Sequence, residues 1–266
     1  MNMLVCIKQV PDTTEIKINP ETNTLIREGV PSIVNTFDAF ALEMAARIKD
    51  ANSGSKIVVV SMGPEQAKNA LKECLAVGGD KAYLISDRAF GGSDTLATSY
   101  ILSKAVAKLE ELEGKFDIIF CGKQAIDGDT AQVGPELAEH LDYPQITYAV
   151  DAFAEGDSVR VKRECAEGYE VLAAKMPCVV TVTKPNYDPR YPTIKTKMAA
   201  NRAQIPVLTS QDFEIDLQHA GLKGSPTKVK KTFTPNLQKD SVMIEEETCE
   251  AAGQKLAKLL GDAGII

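Results

Sequence analysis

The 266-residue sequence predicts an α/β fold, a mostly parallel sheet with helices on both faces. Three observations predict it. Through Leu141, short apolar runs alternate with segments whose apolar residues recur at helical spacing, which is the rhythm of strand–helix–strand units. After Pro144 the rhythm becomes strands joined by short turns, which adds an antiparallel extension. From Lys184 onward prolines and basic residues dominate, and the chain reads as an extended arm.

Residues 3–10 form an apolar run ended by Pro11, a buried strand. Alternation at 15–18 and 24–27 around "NPETN" reads as a small hairpin. Asn35 or Thr36 can cap a helix that puts Phe37, Ala41, Met44, Ala45 and Ile48 on one face. "SGS" ends that helix, and residues 56–61, "KIVVVS", give the next buried strand. Pro64 suits a first helical turn, Ala67, Leu71, Cys74 and Leu75 follow at helical spacing, and Gly78 and Gly79 close the helix. Residues 81–86 are a third strand, 93–112 a long helix, and 116–121 a fourth strand leading into a polar loop and a helix through Leu141.

Strands at 146–153, 158–164, 169–174 and 178–183 make up the antiparallel part. Beyond them, Pro185, Pro189, Pro192 and Pro206 exclude a core strand or a long helix. Residues 207–242 show little periodicity, and a last helix runs from about 246 to 260. The pattern is Rossmann-like, with an α/β body at 1–183. Residues 184–266 form an arm that is costly to order without a partner surface.

Composition narrows the function. Hydrophobic residues at 44% and charged residues at 25% are ordinary for a soluble globular protein, and a net charge of −7 leaves no nucleic-acid footprint. The six cysteines show no CxxC and no ligand spacing, which argues against a metal or iron–sulfur site and against a secreted disulfide framework. The apolar run before Lys8 is too short for a signal peptide or membrane span, so the sequence reads as cytoplasmic and reduced. With His140 and His219 as the only histidines and no GxSxG, HExxH or Walker A motif, a self-contained hydrolase has little material.

The loop between the fourth strand and its helix, "GKQAIDGDTAQV", is about twice as long as a structural link requires. In a parallel sheet it lies beyond the carboxyl ends of the strands, where ligands bind. Gly122 and Gly128 permit backbone geometries and close approaches that a Cβ would block. Thr130 and Gln132 offer side-chain donors, and the following helix offers free N–H groups at the positive end of its dipole. These features suit a phosphate or pyrophosphate. Asp127 and Asp129 would repel one if turned inward, so they cap amides or meet a ribose hydroxyl. On spacing alone, a well-capped connection explains the loop as well as a nucleotide site does.

Six segments in order, "VCIKQVPD", "NTFDAFALE", "VSMGP", "CGKQAIDGDTAQVGPELAEHL", "MPCVVTV" and "PRYPTIKTKM", resemble the electron-transfer flavoprotein β-subunit over nearly the whole chain. The resemblance implies a subunit that pairs with a larger, FAD-carrying α-subunit and ferries electrons between flavins and dehydrogenases. By motif, Cys6, Asn35, Thr36, Phe37 and Asp38 surround an adenosine, with Met62 adding a contact. The phosphates are then wrapped by the loop residues Gly122, Lys123, Gln124, Ala125, Ile126, Asp127, Gly128, Asp129, Thr130, Ala131, Gln132 and Val133. Periodicity by itself assigns Phe37 to the helix's core face.

The form "DGDTAQVGPE" resembles the anaerobic, electron-bifurcating branch. There the site holds a second FAD reduced by NADH, which sends one electron to ferredoxin and one through the α-subunit flavin to an acyl-CoA dehydrogenase. The alternative is a structural AMP, as in respiratory members. Flavin chemistry belongs to the cofactor, so no catalytic acid, base or nucleophile is assigned. The Pro-rich stretch resembles the family's recognition loop, with Ile194 inserting into the partner dehydrogenase and Met198 nearby. Arg190, Lys195, Lys197 and Arg202 form a basic patch suited to steering an acidic partner.

Overall fold

The structure is a computed structural model that describes residues 1–12, 31–230 and 241–266. The expected hairpin at 15–18 and 24–27 lies outside the described residues. Met1–Lys230 form one compact unit and Lys231–Ile266 a second.

In the first unit, β1 (Asn2–Cys6) begins the sheet, and β2 (Gln9–Pro11) pairs antiparallel with β3 (Ser32–Val34). The predicted strand at 3–10 is therefore two strands, broken at Ile7 and Lys8. Then follow α1 (Thr36–Ala51), β4 (Lys56–Met62), α2 (Lys68–Val77), β5 (Lys81–Ile85), α3 (Thr95–Glu113), β6 (Ile118–Gly122) and α4 (Val133–Leu141). These match the sequence pattern to within a few residues. Side chains along the strands alternate between two apolar clusters. Met3, Val5, Ile57, Val59 and Phe120 join residues of α1 and α2 on one face. Leu4, Val58, Val60 and Ile119 join residues of α3 and α4 on the other. Helices thus cover both faces, as a buried parallel sheet requires.

β7 (Gln145–Glu155), β8 (Ser158–Cys165) and β9 (Gly168–Lys175) form an antiparallel ribbon. β10 (Cys178–Val182) departs from the expected antiparallel set. It inserts between β6 and β7 and runs parallel to both. All five of its residues are buried, which a strand flanked on both edges and both faces demands. The sheet order is β11-β5-β4-β1-β6-β10-β7-β8-β9, and β9 forms one edge with none of its residues buried.

The arm after Lys184 is not wholly extended. It carries α5 (Ile194–Arg202) and a two-residue strand, β11 (Val207–Leu208), which pairs parallel with β5 at the other edge of the sheet. Residues 184–230 belong to the same compact unit as the sheet, which ends at Lys230, whereas the sequence put a boundary after Thr183. Thr193 and Thr196 close a reciprocal capping box at the start of α5, so Pro192 precedes a helix and does not prevent one. A four-residue helix, α6 (Gly221–Gly224), follows.

In the second unit, described on its own, α7 (Cys249–Asp262) starts at Thr248, whose hydroxyl accepts the Ala251 N–H at 3.2 Å. Among the described residues no helix is long and apolar enough to cross a membrane.

At the amino ends of β4 and β5, Glu113 from the end of α3 gathers three partners. Lys81 donates at 2.9 Å, and Lys56 and Tyr83 also donate to it. Burial pushes the Glu113 carboxyl up, but these donors override it and hold it at about 2. A lowered carboxyl stabilises the fold above the unfolded value, and that contribution disappears as pH falls from about 4 toward 2. Replacing Glu113 by Gln is expected to lower stability at neutral pH by about 2 kcal/mol, as loss of charged hydrogen bonds does, and to flatten the acid limb of a Tm–pH curve over that window.

Candidate functional site

The chain runs outward from β1 through α1 to β4 and β5, then crosses by α3 to β6 on the other side of β1. The carboxyl ends of β1 and β6 therefore flank the point where the strand order reverses, the usual ligand crevice of this architecture. Cys6 and Cys121 sit there in register on adjacent strands. Hydrogen bonding with the Cys6 thiol, together with full burial, holds the Cys121 thiol well above its ordinary range, so it stays protonated.

Asp38, in the first turn of α1, joins the strand ends to one another. Its carboxylate accepts the Lys8 N–H at 2.7 Å and the Gly122 N–H at 3.1 Å. Burial raises the Asp38 carboxyl to about 7 against the pull of those two N–H groups and of Asn35. Gly122 is required for this contact, because a Cβ there would lie 2.8 Å from the Asp38 nitrogen and closer still to its carboxylate.

Asn35 stands at the N-cap position of α1 but makes no side-chain cap. Its amide reaches across to the loop, donating to the Gln124 carbonyl at 2.8 Å and accepting the Ile126 N–H at 3.1 Å. The expected capping role thus gives way to a long-range tie. Asp127 forms an ion pair with Lys8 at 2.6 Å rather than capping an amide. Lys8 is the one charged residue in the apolar run 3–10, a signal that sequence reasoning left unused. The Ala125 carbonyl accepts the Gly128 and Asp129 N–H groups at 3.2 and 2.9 Å, closing a turn. Gln124 donates its side chain to Asp129.

Positive backbone angles fall on Asp129 (φ 55°) and Ala131 (φ 53°). Gly128 needs no such angle, and a Cβ on it would meet nothing within 4 Å. It is exposed, with open space beside it. Thr130 and Gln132 are exposed, and Gln132 offers no side-chain cap to α4, which begins at Val133. In the first turn of that helix the N–H groups of Val133 and Gly134 have no intrahelical partner, and Pro135 has no N–H. Gly134, unremarked in the sequence, allows α4 to approach β10, since a Cβ there would lie 2.5 Å from Thr181 Cγ2.

The remaining residues of the expected set divide. Met62 ends β4 beside Lys8 and Asp127, lining a cavity of about 170 Å³. Thr36 is exposed at the start of α1, while Phe37 is half-buried against the core, the position its periodicity indicated. Lys123 turns away, its ammonium 5.2 Å from the Tyr148 ring centroid on β7. Ile194 and Met198 lie on α5, which packs on α2, and are 83% and 51% exposed. Of the expected basic patch, Lys195, Lys197 and Arg202 are exposed, but Arg190 is paired with Glu43 and Asp50.

The architecture defines a doubly wound α/β protein whose polar loop and strand ends converge at the sheet's switch point. Residues 22–212 match the family model described as "Electron transfer flavoprotein domain". Over 249 residues the chain is 53% identical to an electron transfer flavoprotein subunit beta of Megasphaera elsdenii, covering 93% of this chain and 92% of that one. It is 51% identical over 267 residues to a protein of the same description from Thermoanaerobacterium thermosaccharolyticum, covering 100% of each. With the caffeyl-CoA reductase-Etf complex subunit CarD of Acetobacterium woodii it shares 46% identity over 260 residues, 97% of this chain and 98% of that one. The chain belongs to the electron transfer flavoprotein family, among its β-subunits.

Two measurements check the geometry. Gly122→Ala should displace α1 from β6 and lower Tm markedly, whereas Gly128→Ala should leave Tm within a degree or two. The raised Asp38 carboxyl makes the native state hold more protons than the unfolded chain between about pH 4 and 7, so its stabilising contribution falls as pH rises through that window. Asp38→Asn should remove that slope from thermal melts while lowering Tm at acidic pH, because one of the two N–H bonds is lost.

Proposed function

We propose that this chain is the β-subunit of a heterodimeric electron-transfer flavoprotein of the bifurcating type, and that its strand-end crevice holds FAD. One observation carries the nucleotide reading. The loop ties itself down through Asn35, Asp127 and Asp129, yet leaves the phosphate side unserved, with the first turn of α4 uncapped and open space at Gly128. A capped structural link would have satisfied that helix end; a pyrophosphate does so from outside. Cys6, Asn35 and Met62 would flank the adenosine, and Gly128, Thr130, Gln132 and the N–H groups of Val133 and Gly134 would face the phosphates. Asp38 would hold the crevice together from behind.

When bound, the FAD supplies the redox chemistry, taking electrons from NADH and passing them to ferredoxin and, through the α-subunit FAD, to an acyl-CoA dehydrogenase. The likeness to CarD, whose name places it in a complex with a CoA-ester reductase, supports a dehydrogenase partner of that class. The chain's own residues bind and orient. No side chain among the described residues of the crevice is assigned a proton-transfer role, and the residues of α5 serve docking. Ile194 and Met198 are four apart on a helix, hence on one face, with exposed Tyr191 beside them.

Denaturing the purified α/β complex should release one FAD beyond that of the α-subunit. NADH added anaerobically should bleach flavin absorbance with no dehydrogenase present. Release of AMP with a single FAD, and no response to NADH, would replace this reading with a structural-AMP subunit. Gly128→Arg should empty the β-site and leave the α-subunit flavin in place. Ile194→Ala should weaken dehydrogenase binding by about 1–3 kcal/mol, the range for a buried interface anchor, without altering NADH-driven bleaching.

A further inference from the structure

Where the arm crosses α1 on its way to α5, an ion pair holds it. Arg190 directs its backbone N–H and Nε to Glu43 Oε2 at 3.1 and 2.7 Å, and one Nη2 to Glu43 Oε1 at 3.1 Å and to Asp50 Oδ2 at 2.8 Å. The Glu43 side chain is 7% exposed. A carboxylate so buried is tolerable only with a partner of this geometry, and the planar guanidinium fork is the side chain that provides it. The pair raises the affinity of Arg190 for its proton above the ordinary value, through the Glu43 hydrogen bonds first, so the charge is permanent.

On either side of this pair the packing opens. A cavity of about 960 Å³ lies between α1, α2 and α5, another of about 690 Å³ lies between α1 and β7, and Glu43 and Arg190 line both. The pair is thus a pillar between two hollows. Tyr187, 4.1 Å under Arg47, fixes the arm before the pillar, and buried Ala200 with the Asn201 carbonyl, which accepts from Lys72 at 3.2 Å, fixes α5 beyond it. Between these anchors Tyr191 and Ile194 are 91% and 83% exposed and have little packing of their own to place them. Ile194 is four residues from Arg190, with Pro192 between them and the Thr193–Thr196 box at the start of α5.

We propose that Arg190, held by Glu43, is a positioning residue that sets the docking face of Tyr191, Ile194 and Met198 for a partner dehydrogenase. This rests on the docking role given to α5 above. Removing the pillar leaves α5 attached at its far end but free to tilt over the larger cavity, so its face meets the partner in many orientations. Binding then weakens while electron passage within a formed complex is unchanged.

The test uses the full α/β complex and follows reduction of the α-subunit flavin by a substrate-reduced acyl-CoA dehydrogenase as dehydrogenase concentration is varied. Arg190→Gln should raise the KM for the dehydrogenase at least tenfold, with kcat within twofold and nucleotide content unchanged. Because the single variant strands a buried carboxylate, Glu43→Gln/Arg190→Gln is the second arm, and it should fold with near-normal Tm and show the same raised KM. Arg190→Lys, which keeps the charge but not the fork, should fall between. A double variant of normal Tm that keeps the unaltered KM, or one that loses kcat alone, overturns the positioning role. If the unsubstituted complex accepts no electrons from such a dehydrogenase, the docking reading itself falls and takes this inference with it.

Discussion

Gly122 brings the end of β6 against the first turn of α1, and Asp38 closes the remaining gap by accepting the N–H of Gly122 at the end of β6 and that of Lys8 just beyond β1. Backbone N–H groups at the end of a parallel sheet have no further strand partner, and a buried one must find an acceptor. Asp38 gives both of its oxygens to that purpose. The position of the polar loop follows, since it leaves the sheet at Gly122, and so does the position of Asn35, three residues before Asp38, which ties down the loop's middle. A residue with a Cβ at 122 would separate all of these elements.

The loop itself divides its polar groups between two uses. Gln124, Asp127 and Asp129 are engaged within the protein, which stiffens a segment of unusual length. Thr130, Gln132 and the first turn of α4 are not so engaged, and they lie on the side where the helix dipole is positive. Stiffness on one side and unmet donors on the other are what a preorganised anion site requires. The pairing of Asp127 with Lys8 also answers, for that residue, the objection that a carboxylate in this loop would repel a phosphate, because its charge is neutralised in place.

The parallel body was legible because short apolar runs bounded by turn residues suit strands covered on both faces, and the helices between them kept their spacing. The convergence of Cys6, Asn35, Asp38, Met62 and the loop was legible for the same reason, since strand ends fix where loops lie. What failed was pairing and local chemistry. Nothing in "CVVTV" distinguishes a strand at the end of a ribbon from one inserted between β6 and β7, because both are apolar. Two residues of β11 are too few to carry a period. The α5 helix did have a signal in Thr193 and Thr196, overshadowed by the prolines around it. Asn35 was expected to follow the local capping rule, and a tertiary demand overrode it. Gly122 and Gly128 look alike in sequence, yet only the packing shows that the first is crowded and the second faces open space. Arg190 read as surface charge because Glu43, 147 positions away, gave no local hint.

The insertion of β10 has a bearing on the order in which the molecule can be assembled. Strands β1, β4, β5 and β6 can pair as soon as they exist, but the antiparallel ribbon reaches them only through residues 178–182, which are made after the ribbon itself. Until then the ribbon is a separate three-stranded piece with two open edges, and the body ends at an unpaired β6. The last edge, along β5, waits longer still, for Val207 and Leu208. Growth of the chain from its amino end therefore leaves the β6 edge unpaired until residues 178–182 are made and the β5 edge until Val207 and Leu208, the situation in which strand edges find wrong partners. These late pairings join residues far apart in sequence, the kind of contact that slows folding.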